Sequence, residues 1–86
     1  MKEKFDFSLP TEEYLKFNNI FSGSLGEFNY KIFPKLEEGM VLVVVWKGRL
    51  CFEKSELLFR ENFNLEERIK EKINLWLNEK INSEYF

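Results

Sequence analysis

The chain contains no histidine, and Cys51 is its only cysteine. Without histidine the usual general base at neutral pH is missing. Without histidine or paired cysteines a structural zinc site is excluded. A single cysteine cannot close an internal disulfide, so a reducing cytoplasm is the expected compartment. The longest apolar run, Met40–Trp46, has seven residues, against about 18 for a membrane-spanning helix. The first ten residues, MKEKFDFSLP, carry lysines but no apolar core, so no signal peptide is expected. There is no basic excess either. The net charge is −2, whereas a surface that meets a phosphate backbone is usually positive. Gly23, Gly26, Gly39 and Gly48 form no phosphate-cradling motif, and the acids lack calcium-loop spacing. Alanine and glutamine are absent while lysine, asparagine, isoleucine and phenylalanine abound. That bias suggests AT-rich coding, as in a bacterium or phage of low GC content.

What is present is an apolar, aromatic-rich chain of a size that makes one domain, residues 1–86. It is 44% hydrophobic, with ten Phe, three Tyr and two Trp. The organising stretch is Met40–Glu53, MVLVVVWKGRLCFE. Its β-branched and aromatic side chains suit a pleated surface, and seven residues suit a strand better than a buried helix. Lys47-Gly48 predicts a two-residue hairpin turn, because glycine accepts positive φ. That turn sets Trp46 opposite Arg49, Val45 opposite Leu50 and Val43 opposite Phe52. Alternation then gives one wholly apolar face, Val41, Val43, Val45, Leu50 and Phe52. The other face carries Leu42, Val44, Trp46, Arg49, Cys51 and Glu53.

The flanks complete the pattern. Thr11 followed by Glu12-Glu13 reads as a helix start, with a short helix expected over 12–19. Residues 22–26 read as a loop. Glu27–Phe33 alternates, with Phe28, Tyr30 and Ile32 on one side, and predicts a strand. Pro34–Gly39 connects it to Met40. Leu57–Phe59 is either a short fourth strand or an extension of the third. Asn64 and Glu67 resemble a capping box. Beyond them Leu65, Ile69, Ile73, Trp76, Leu77 and Ile81 stand at helical spacing, so a long helix is expected over 65–82, with Glu66 and Lys70 as an i,i+4 pair. The fold class is therefore α+β: a short N-terminal helix, a three- to four-stranded antiparallel meander sheet, and a long C-terminal helix packed on one sheet face. The order helix–three strands–helix resembles the double-stranded RNA-binding domain. That resemblance implies phosphate contacts from a lysine-rich start of the last helix. Here the corresponding stretch, Phe63–Glu67, is acidic.

No residue set carries catalysis. The adjacent acids Glu12-Glu13, Glu37-Glu38 and Glu66-Glu67 read as helix caps and a solvated loop, since helical neighbours diverge by about 100°. Cys51 reads as a small buried residue without a histidine partner. The expected function is that of a small non-enzymatic protein without cofactor, metal or small-molecule substrate. It binds a protein partner or forms a homodimer, in an accessory or regulatory role; a nucleic-acid-binding module is the alternative. The candidate contact is the second sheet face, Leu42, Val44, Trp46 and Arg49, because Trp and Arg are enriched at binding hot spots. Two coverings are open for it: the N-terminal segment through Phe5 and Phe7, or a partner.

Overall fold

In a computed structural model of the chain, residues 7–48 and 57–85 are described, Tyr85 by its backbone alone. Helix α1 is Glu12–Lys16, strand β1 is Phe21–Leu25, β2 is Phe28–Lys35, β3 is Met40–Lys47, β4 is Leu57–Asn64, and helix α2 is Ile69–Tyr85. The strands form one antiparallel sheet in the order β1-β2-β3-β4. This is the expected α+β meander with four strands, and β4 is a full strand of eight residues. A helix–four strands–helix order departs from the three-strand order of the RNA-binding domain.

The element missed from sequence is β1. Residues 22–26 read as a loop on their serines and glycines, which are poor strand formers. The alternation Phe21, Gly23, Leu25 is nonetheless there, and Gly26-Glu27 closes a hairpin with Leu25 opposite Phe28. Gly26 has φ 60°, the positive angle that two-residue hairpin turns require at their first central position. The β2–β3 connection is shorter than the expected Pro34–Gly39, because β2 runs on through Lys35: a single 3-10 turn, Leu36–Glu38, ends on Gly39 in the left-handed region. Pro34 sits inside β2 opposite Val41. It is tolerated because β1 stops at the Phe21–Ile32 pair, so its missing N–H falls beyond the neighbouring strand.

Gly48 has φ 106°, as the turn argument requires, yet the register drawn from it is corrected. Its N–H donates to the Glu27 carbonyl at 3.0 Å, continuing the β2–β3 ladder. The other edge of β3 is taken by β4: Val43 faces Glu61, Val44 faces Arg60, Val45 faces Phe59 and Trp46 faces Leu57. The partners expected for β3, Arg49–Glu53, lie outside the described residues; among the described residues the strand beside β3 on that edge is β4. The glycine itself remains essential. Gly48→Val should destabilise the fold by at least about 1 kcal/mol, because a β-branched residue resists positive φ. Urea titration checks this; an unchanged midpoint would mean the backbone relaxes freely there.

The core lies on one sheet face. Phe28, Tyr30 and Ile32 from β2 join Val41, Val43 and Val45 from β3, as expected, with Leu15 of α1 and Ile69, Ile73, Leu77 and Ile81 of α2 packed over them. The Thr11 hydroxyl caps α1 by accepting from the Tyr14 N–H at 3.2 Å. That helix stops at Lys16, earlier than expected, and Asn18 follows with φ 61°. Helix α2 begins later than expected. Asn64 is still in the ladder, opposite Met40, and the Leu65 N–H donates to the Gly39 carbonyl at 2.9 Å. Extended backbone there prevents the capping box. Glu66, ahead of the helix, pairs with Lys72 at 2.8 Å.

Candidate interaction surface

The register places the predicted contact residues on the face away from the core. Leu42, Val44 and Trp46 project there in a row, with Asn29 opposite Trp46 and Lys31 opposite Val44 on the β2 side. The other border is Arg60 opposite Val44 and Asn62 opposite Leu42. Arg60 thus holds the cationic border position expected of Arg49, which lies outside the described residues. Lys31 projects its ammonium over the Phe33 ring, 5.4 Å from the centroid.

The stripe is not uniformly open. Val44 is 1% and Trp46 7% exposed, while Leu42 is half-buried. Two of the predicted contact residues are thus enclosed within their own chain, and the β3 centre is apolar and buried on both faces. Phe7 is not what covers them. It packs on the opposite face, edge-on to Tyr30 at 5.5 Å; Phe5 lies outside the described residues.

Tyr30 anchors the N-terminal segment. Its hydroxyl donates to the Ser8 carbonyl at 2.6 Å, and its ring stacks on Phe21 at 6.5 Å. Burial pushes the phenol above its ordinary range, partly offset by the Ser8 contact. Through that bond the hydroxyl ties the N-terminal segment to β2. Among the described residues no group of three or more Cys, Asp or Glu side chains is placed to hold a metal, and no helix is long and apolar enough to cross a membrane.

Large apolar side chains are exposed elsewhere. Phe17 is 78% and Ile20 52% exposed, on the link between α1 and β1. Between them Asn18 lines an open groove of about 590 Å³ with Pro34, Leu36, Glu37 and Glu38. The sequence offered a signal for this patch. Phe17 shares the apolar spacing of Tyr14, but that spacing faces outward: Tyr14 is 40% exposed, and the α1 residue turned to the core is Leu15. No protein-family model, curated protein or solved structure matches the chain.

Proposed function

We propose that the protein is a small non-enzymatic interaction module that binds a protein partner or a second copy of itself, in an accessory or regulatory role in a bacterium or phage. The observation that carries this reading is the exposed apolar surface around Phe17, Ile20 and Leu36. Large apolar side chains that gather in one exposed patch usually mark a contact surface. On the second sheet face only the Leu42 end, half-buried, is accessible among Leu42, Val44 and Trp46; Val44 and Trp46 serve as support, being already buried. Nucleic acid fits less well. Around the start of α2 stand Glu66, Glu67 and Glu71, with Arg68 engaged by Glu71 and Lys72 by Glu66. The test is a photo-cross-linking residue placed at Phe17 and, as control, at Leu75, an exposed leucine on α2. Capture of one defined protein, or of a second copy, from Phe17 alone is expected. Equal capture from both positions, or none from Phe17, would overturn the reading.

A further inference from the structure

We propose that the outer edge of β1 pairs antiparallel with β1 of a second copy, centred on Gly23, so that two chains share one eight-stranded sheet. The inference rests on the interaction reading above and names its partner. It starts from ladder geometry. Since the Gly48 N–H bonds the Glu27 carbonyl, the backbone of Glu27 faces β3. Along a strand these groups alternate in direction, so Phe28, Tyr30 and Ile32 face β1. Their partners Leu25, Gly23 and Phe21 point back at them. The N–H and carbonyl groups of Ser22 and Ser24 then point outward. Among the described residues no strand lies beyond β1. Just upstream, the Ile20 carbonyl is already taken by the Tyr14 hydroxyl at 3.2 Å. The open edge is therefore Ser22–Ser24.

Such an edge is a template for another strand unless it is protected by charge, proline or a bulge. The outer strand at the far side of the sheet has those devices: Arg60 and Glu61 stand on β4, Glu61 on the core side opposite Val43, and the β3–β4 register is irregular at Val45/Trp46. β1 has none. Its sequence, Phe-Ser-Gly-Ser-Leu, is nearly its own reverse. A two-fold axis through Gly23 sets Ser22 against Ser24 of the copy in hydrogen-bonded pairs. It also sets Phe21, half-buried in the single chain, against the half-buried Leu25 of the copy, on the core side. No like charges meet across the axis. The partner that fits an uncharged, self-complementary edge is this strand itself.

The experiment is light scattering over a concentration series, with amide exchange measured in parallel. Expected is a rise from the 10.5 kDa of one chain toward twice that, with the Ser22 and Ser24 amides slowing in step with the dimer fraction. Ser24→Pro should remain a folded monomer, because the N–H it removes bonds nothing within the sheet. Should that variant fail to fold, Ser22→Lys with Ser24→Lys places like charges across the axis and should abolish the dimer. A single-chain mass up to millimolar concentration would overturn the pairing while leaving the Phe17 cross-linking result standing. So would a dimer that survives both edge variants, or one lost in Phe17→Glu and kept in Ser24→Pro.

Discussion

Ile73→Ala should cost about 2–5 kcal/mol of stability, a large share of what a small domain has. Ile73 is 1% exposed and belongs to the stripe Ile69, Ile73, Leu77 and Ile81, through which α2 joins the sheet core. Truncation removes three carbons from a closed environment, and the surrounding β-branched side chains are too stiff to collapse fully into the gap. Trp76→Ala should fall at the lower end of the range: Trp76 is half-buried, edge-on to Phe63 at 5.7 Å. Leu75→Ala is the control, since Leu75 is exposed on the same helix and should stay within about 0.5 kcal/mol. Urea unfolding of the three variants decides the matter. Equal midpoints for Ile73→Ala and Leu75→Ala would mean that the stripe does not hold α2 down.

Gly23→Ala should be as damaging, about 2–6 kcal/mol, for a reason unrelated to backbone freedom. A Cβ at Gly23 would sit 2.5 Å from Cζ and Oη of Tyr30. The ring cannot step aside cheaply. It is stacked on Phe21, met edge-on by Phe7 and held at its tip by the Ser8 carbonyl. Displacing it strains the packing by about 1–3 kcal/mol and strips a part-buried carbonyl of its donor, at a further cost of about 1–3 kcal/mol. The check is a double-mutant cycle with Tyr30→Leu, which removes the obstructing ring tip. The two losses should be clearly less than additive. Strict additivity would show that Gly23 and Tyr30 do not share space.

The parts of the fold legible from sequence are those in which one residue pattern meets one environment. β2 alternates because a single face is buried, and the α2 stripe repeats because a single side docks. Both were readable from Phe28–Ile32 and Ile69–Ile81. β1 was hidden because its middle position had to be empty for Tyr30, so glycine stood where a strand former was sought. The start of α2 was misplaced because Asn64 and Leu65 have ladder partners in Met40 and Gly39, contacts distant in sequence that outweigh a local cap. The site suffered in the same way. An apolar stripe in sequence does not say whether its own chain encloses it, and Val44 and Trp46 turn out to be enclosed while Phe17 does not.

The strand order has a kinetic consequence. Every ladder in the sheet joins strands that follow one another along the chain, so no crossover must form before the hairpins can reward it. Low sequence separation of contacts favours rapid folding. The β1–β2 pair, closed by two residues, carries the smallest loop-closure entropy and is suited to form first. The Tyr30–Ser8 bond spans 22 positions. That separation makes docking of the N-terminal segment a later step than closure of the β1–β2 hairpin.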